Sequence, residues 1–476
     1  MNIAPLSTEP LGLLAGLLPE GSLLTRDEDL ARYSRDWSGD HFGRPLAVAR
    51  PSSVEEVSAL MALCHRERIP VVPQGGLTGL VGAAVATDGR ELVLSLERMN
   101  RILSVNPIDY AITVEAGCIL EDAKRAADEA NCLLPITFGA QGSCRIGGNV
   151  ATNAGGFNVL RYGMTRDLVL GLQVVLADGR IWDGLRTLRK DNRGYDLKQL
   201  FVGSEGTLGV VTAAALKLFP KPTQIETALV GLRSIEDAMA LYARARRECS
   251  DLLTAFELIL RRGIEISLNA RSDLGDPLSQ PYPVYVLIEA GAGGRVDLRK
   301  ILEDFFADAS DLIGDGIIAS SRAQGERLWL YREVMVEMQG RGGRYLRTDV
   351  SVPISKLAAF VRDALTDIDI RLPDALAVTY GHVGDGNIHM NVVPPEGMEA
   401  TAVDRLFHEA EALIFGALDR HGGSISAEHG IGRVKQHAFL ERADPVGLDI
   451  AGKLKQMLDP RHILSDGRIL LPGKAE

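Results

Sequence analysis

Residues 142–156 read Gly142-Ser143-Cys144-Arg145-Ile146-Gly147-Gly148-Asn149-Val150-Ala151-Thr152-Asn153-Ala154-Gly155-Gly156. The run holds too many glycines and small residues to be a single turn, and it sets polar amides beside bare backbone. A diphosphate needs backbone N–H groups converging on its oxygens, and only residues without a Cβ let the chain come so close. The block is therefore expected to line a long ligand. Two more glycine blocks flank it. Pro73-Gln74-Gly75-Gly76-Leu77-Thr78-Gly79 follows a predicted strand at 69–72, and Gly203-Ser204-Glu205-Gly206-Thr207-Leu208-Gly209 runs into a predicted strand at 210–212. Taken alone, the first of these is also an ordinary turn sequence. No Gly-x-Gly-x-x-Gly opens a helix, and no acidic residue follows a second strand at the expected distance, so a Rossmann unit is not indicated.

Around these blocks the pattern is mixed. Ser53-Val54-Glu55-Glu56 reads as a capping box, with Val54, Val57, Leu60, Met61 and Cys64 following at helical spacing. Strands are predicted at 91–96 and 111–116, a helix at 120–130, and a hairpin over 168–182 with Asp178-Gly179 as a two-residue turn. Pro220-Lys221-Pro222 marks a boundary. Beyond it, helices at 235–247 and 296–307 and a strand at 284–289 suggest a sheet covered by helices.

With 476 residues the chain is too long for one ordinary core, so two or three domains are expected. Lys plus Arg number 52 against 63 Asp plus Glu, and the resulting charge of -11 repels phosphate backbones; nucleic acid is not an expected partner. Buried arginines can still set a local potential for a small anionic substrate. The cysteines (Cys64, Cys118, Cys132, Cys144, Cys249) form no CxxC pair and read as reduced structural thiols. Residues 11–18 are apolar but follow no Lys or Arg, and no run approaches a membrane span, so a cytoplasmic location is the expectation.

A second chemical signal lies at Tyr380-Gly381-His382-Val383-Gly384-Asp385-Gly386-Asn387-Ile388-His389-Met390-Asn391. If 384–387 form a four-residue hairpin loop, Val383 pairs with Ile388, His382 lies opposite His389, and Asn391 shares their face. Three polar groups on one face are costly to bury without a ligand. Ser426-Ala427-Glu428-His429-Gly430-Ile431-Gly432 adds a carboxylate beside a third imidazole. Two histidines and a carboxylate match a site for zinc or another divalent metal with open positions, although a satisfied turn histidine accounts for any one of them alone.

The three glycine blocks, in this order, resemble those of the vanillyl-alcohol oxidase and p-cresol methylhydroxylase family of FAD proteins, and the resemblance covers nearly the whole chain. It implies an α+β fold: an N-terminal segment (1–40), a p-cresol methylhydroxylase-type FAD-binding domain (41–221), a ferredoxin-like α+β substrate domain (222–425), and a C-terminal segment (426–476) returning to the flavin. It also implies that Pro73, Gln74, Gly75, Gly76, Leu77, Thr78 and Gly79 grip the pyrophosphate. Gly142, Ser143, Gly147, Gly148, Asn149, Thr152, Asn153, Glu205, Gly206, Gly209, Val210 and Val211 would line the rest of the cofactor. No histidine stands in these blocks to tether it, so the FAD is expected to be noncovalent.

Both histidine motifs, the segment Leu188-Arg189-Lys190-Asp191-Asn192 followed by Gly194-Tyr195-Asp196-Leu197-Lys198-Gln199-Leu200-Phe201, and Leu328-Trp329-Leu330-Tyr331-Arg332-Glu333 are similar to those of the flavin D-2-hydroxy-acid dehydrogenases. That group acts on D-lactate, glycolate and D-2-hydroxyglutarate, and the last enzymes match most fully. The resemblance implies metal binding by His382, His389 and Glu428, substrate contacts from Arg332, Arg347 and Asn391, and His429 as the base. Val336 stands where those enzymes have threonine, Arg347 where they have lysine, and Ser465 where they have an amide. A dehydrogenase for D-2-hydroxyglutarate or a related hydroxy diacid is the expectation. Alternatives are a D-lactate or glycolate dehydrogenase or oxidase, and a non-catalytic electron-transfer subunit. The electron acceptor would be an electron-transfer flavoprotein, a quinone or a cytochrome, and a homodimer is one open assembly state.

Overall fold

In the computed structural model, which describes residues 9–339 and 343–473, the helix expected after Ser53 runs Val54–Glu67. Ser53 Oγ accepts the Glu56 N–H, but the Glu56 carboxylate reaches Ser52 N–H at 2.7 Å rather than Ser53, so the box closes one residue early. The first eight residues of the expected N-terminal segment lie outside the described residues. The chain divides into a unit of residues 1–156, 163–221 and 428–476 and a unit of 157–162 and 222–427.

In the first unit a four-stranded sheet orders Leu23–Leu24, Ala47–Ala49, Leu92–Ser95 and Val71–Gln74, with the last three parallel. A five-stranded antiparallel sheet orders Ile102–Asn106, Ala111–Glu115, Val210–Lys217, Val169–Val175 and Ile181–Gly184. The hairpin there is not closed by two residues. Leu176 N–H bonds Arg180 O, so three residues lie between them, with Gly179 at φ +88°, the left-handed position of a three-residue connection. The C-terminal stretch joins this unit by backbone pairing: Val71 N–H donates to Ile463 O and Ser465 N–H to Val71 O. Buried Arg468 then reaches Glu91 at 2.5 Å. All five cysteines are free and buried, and burial pushes the Cys64 thiol up to about 12, far from a reactive thiolate.

The second unit is built on a seven-stranded antiparallel sheet. Its order is Ile313–Ile318, Gln224–Leu232, Val284–Ala292, Leu253–Leu260, Leu376–His382, Asn387–Val393 and Val350–Ser351. The first four, taken in chain order with helices Ile235–Glu248 and Leu298–Asp308 between them, form the βαββαβ ferredoxin-like arrangement, 4-1-3-2 across the sheet. Helix Arg322–Met338, capped by Ser321, packs Leu328, Tyr331 and Met335 on Leu229, Leu287 and Tyr380. Among the described residues no helix is long and apolar enough to cross a membrane.

Two boundaries differ from expectation. Residues 157–162 belong with the second unit, because Phe157 packs 5.1 Å from the Trp329 ring, tilted to it, and Arg161 donates to Gly291 O at 2.6 Å. Ser426 and Ala427 also belong there, because Ala427 N–H bonds the Asp349 carboxylate at 3.2 Å and Ser424 pairs with Ser351.

Candidate active site

In the first unit the three glycine blocks converge. A Cβ on Gly206 would lie 3.2 Å from the Pro73 ring, and one on Gly75 would lie 3.6 Å from Gly148 Cα. Their glycines serve two purposes. A Cβ on Gly76 would strike Ser143 O at 2.2 Å, one on Gly147 the Ala116 Cβ at 2.7 Å, and one on Gly209 the Val174 side chain at 2.7 Å; these three let backbone pack on its neighbours. Gly79 and Gly148 have no atom within 4 Å of where a Cβ would stand. Those bare faces are the cradle that a diphosphate needs, and they fit FAD.

Several residues expected at the cofactor have their side chains engaged elsewhere. The buried Gln74 amide donates to Tyr33 O at 3.1 Å and Ala84 O at 2.8 Å, so it braces the loop. Thr152 Oγ1 bonds Gly148 O within its own helix, and Asn153 Oδ1 accepts Arg166 N–H at 2.8 Å. Val210 and Val211 are core residues of the five-stranded sheet. The Glu205 carboxylate accepts the Ile431 and Gly432 N–H groups, each at 2.8 Å, and so clamps the turn after His429. Burial pushes Glu205 above the ordinary carboxylate value, and those two N–H bonds oppose it.

The same turn carries Glu428. Its Oε1 accepts Gly156 N–H at 2.7 Å, and a Cβ on Gly155 would lie 2.5 Å from that oxygen. The closing Gly-Gly of the long block thus makes room for a carboxylate. Gly430, at φ +82°, leaves space for Glu205 on the other side of His429, where a Cβ would stand 2.8 Å from Oε1.

In the second unit the histidine hairpin forms with a different register. The four-residue connection is 383–386, a 3-10 turn Val383–Asp385 ended by Gly386 at φ +78°, and Asp385 Oδ1 accepts Asn387 N–H. His382 therefore pairs with Asn387 and Tyr380 with His389. A shift of two residues keeps the side chains on the same face. His382 and His389 end as diagonal neighbours with ring centroids 5.9 Å apart, and a ring nitrogen of each lies within 4.8 Å of the other. An Asp349 carboxylate oxygen also lies within 4.8 Å of a His389 ring nitrogen. Asp349 is fully buried, and its Oδ1 accepts the Asn387 amide at 3.0 Å.

Arg332 and Asn391 are not arranged as expected. Arg332 is 4% exposed, its Nε donates to Glu257 Oε2 at 3.2 Å, and its guanidinium lies 4.2 Å over the Tyr380 ring. Only its terminal nitrogens remain for a substrate carboxylate. Asn391 accepts Thr348 N–H and donates to Gln339 Oε1 and Tyr380 Oη, so no amide proton is left for substrate; it braces the site instead. Arg347 lies 4.3 Å over the Tyr345 ring, and Val336 packs with the core one helical turn beyond Arg332.

Sequence reasoning missed Glu257. It stands directly opposite His382 in the neighbouring strand, and its Oε1 faces His382 Nδ1. Burial raises its pKa, but His382 and Arg332 together outweigh that and hold it below the ordinary carboxylate value. The signal was available: Glu257 is the one charge in the strand Leu253-Thr254-Ala255-Phe256-Glu257-Leu258-Ile259-Leu260. Phe157, 5.5 Å edge-on from the His382 ring, and Asp349 were also missed.

Two family models match consecutive parts of the chain. Residues 45–184 match the model of an FAD binding domain, and residues 221–469 match that of the C-terminal domain of FAD linked oxidases. The chain is 39% identical over 453 residues to D-2-hydroxyglutarate dehydrogenase of Xanthomonas citri pv. viticola, covering 95% of both chains. It is 37% identical over 479 residues to the mitochondrial D-2-hydroxyglutarate dehydrogenase of Rattus norvegicus, covering 100% of this chain and 87% of the other. The solved structure of p-cresol methylhydroxylase with substrate bound superimposes with a TM-score of 0.75 at 18% identity over 98% of each chain, a likeness of fold. With both halves matched and full-length relatives above a third identical, the chain belongs to the FAD-linked oxidases, an FAD-binding domain followed by their C-terminal domain.

Proposed function

We propose that the chain oxidises D-2-hydroxyglutarate to 2-oxoglutarate, using dissociable FAD and a divalent metal, zinc by preference, on His382, His389 and Glu428. The observation that carries this reading is the buried cluster in which Glu257 takes both His382 and Arg332, with the His389 ring 5.9 Å from that of His382. The names of the full-length relatives support the substrate. The donor set suits a borderline-soft cation: two imidazoles and a carboxylate, leaving positions for a bidentate 2-hydroxy acid.

When bound, FAD supplies a hydride acceptor and the metal a Lewis acid that makes the 2-hydroxyl more acidic. The protein's part is positioning and proton transfer. His429 takes the hydroxyl proton on its imidazole. Arg332 meets one carboxylate of the substrate through its terminal nitrogens while Nε stays on Glu257, and Arg347 meets the distal carboxylate. Val336 offers no hydroxyl there, so distal recognition rests on Arg347. Electrons leave to an electron-transfer flavoprotein, a quinone or a cytochrome.

The test is turnover with a dye acceptor, with 2-oxoglutarate measured as product. D-2-Hydroxyglutarate should outperform D-lactate and glycolate. Preference for either short acid would overturn the diacid reading.

A further inference from the structure

We infer that Glu257 is a positioning residue that couples the metal ligand His382 to the substrate arginine Arg332, so that metal and substrate reinforce each other's binding. The inference rests on the proposed function and goes beyond it in naming how the two halves of the site communicate.

Glu257 is wholly buried, Arg332 is 4% exposed and His382 6%, so bulk water does not satisfy these three groups. Each carboxylate oxygen has its own partner: Oε1 faces His382 Nδ1, and Oε2 receives Arg332 Nε–H at 3.2 Å. Both partners are held from behind. Direct cross-strand pairing fixes Glu257 against His382, and the guanidinium lies between the Tyr380 ring at 4.2 Å and the Phe157 ring at 5.6 Å.

A carboxylate on Nδ1 makes that nitrogen the proton carrier, so Nε2 carries the lone pair that a metal requires, and it raises the basicity of the ring. Arg332 draws on the same carboxylate. When a substrate carboxylate takes part of the guanidinium's charge, Glu257 is less neutralised and becomes a stronger acceptor for His382. The imidazole then becomes a better ligand. By linkage the metal must strengthen substrate binding by the same factor.

The measurement is zinc affinity of the FAD-loaded, metal-stripped protein, by competition with a chromophoric chelator, with and without saturating 2-oxoglutarate, which cannot reduce the flavin. In the wild type 2-oxoglutarate should tighten zinc binding. Glu257→Gln should weaken zinc by about tenfold to a hundredfold, the usual cost of losing a carboxylate behind a metal-bound histidine, and should diminish the effect of 2-oxoglutarate to what direct chelation supplies. His382→Ala should weaken zinc at least as much. Unchanged zinc affinity in Glu257→Gln, or an undiminished 2-oxoglutarate effect, overturns the inference. Unchanged affinity in His382→Ala instead overturns the metal reading itself. Should Glu257→Gln fail to fold, Glu257→Asp carries the test, since it keeps the charge but is too short to span both partners. Wild-type zinc affinity and an intact 2-oxoglutarate effect in that variant would likewise overturn the coupling.

Discussion

Glu428 Oε1 accepts the N–H of Gly156, so the carboxylate of the Glu-His turn is held by the last residue of the long glycine block. The long glycine block and the proposed metal ligand thereby share a hydrogen bond, and His429 is the next residue along the chain. Glu428→Ala should lower metal content and flavin reduction together, with partial rescue by added metal. His429→Ala should keep metal and FAD yet slow reduction by about 10²–10⁴, the usual scale for a positioned proton acceptor. Elemental analysis beside flavin reduction checks both. Loss of metal from His429→Ala would remove it from the base role.

The two kinds of glycine in the cradle make opposite predictions. Gly148 faces open space, so Gly148→Leu should lower the FAD to protein ratio while thermal stability of the apoprotein holds. Gly147→Ala places a methyl group 2.7 Å from Ala116 Cβ and should cost about 1–3 kcal/mol of stability, the range for overpacking. In the wild type, acid precipitation should leave FAD in the supernatant.

Arg347→Ala should penalise D-2-hydroxyglutarate more than D-lactate. A charge-assisted contact is worth about 1.5–3 kcal/mol, so kcat/KM for the diacid should fall roughly tenfold to a hundredfold further. Equal losses on both acids would show that Arg347 does not read the distal group.

Glu289 supplies a pH test away from the metal ligands. Burial raises its pKa above 4.5, opposed by Trp329, Thr254 and Thr227, and Trp329 Nε1 donates to it at 2.9 Å. The folded state keeps this proton through a window in which the unfolded chain has lost it. Its contribution is therefore fully present below about pH 4.5 and is lost as pH rises through the folded pKa. Glu289→Gln lacks that decline, so the melting temperature of the variant minus that of wild type should increase with pH across the window. A flat difference would show that Glu289 is not perturbed.

The legible parts of this protein were those written in local pattern. A four-residue loop between two alternating strands placed His382, His389 and Asn391 on one face, and the glycine blocks declared a ligand. The register of the hairpin was not legible, because Gly386 can end the turn one residue earlier than a count of loop residues suggests. Glu257 was hidden for a different reason: it lies 125 positions from His382, and only the order of strands in the sheet brings them together. The role of residues 157–162 was likewise set by Phe157 packing on Trp329, a contact between distant segments. Many glycines read as facing a ligand in fact admit a neighbouring strand or carboxylate, a distinction that depends on what lies across the gap.

The central claim is oxidation of D-2-hydroxyglutarate by the bound flavin, and anaerobic single-turnover bleaching tests it without involving any electron acceptor. With zinc present, D-2-hydroxyglutarate should bleach the flavin absorbance completely while the L enantiomer leaves it unchanged. Flavin that stays oxidised with the D enantiomer, in protein shown to hold both FAD and metal, would contradict the account.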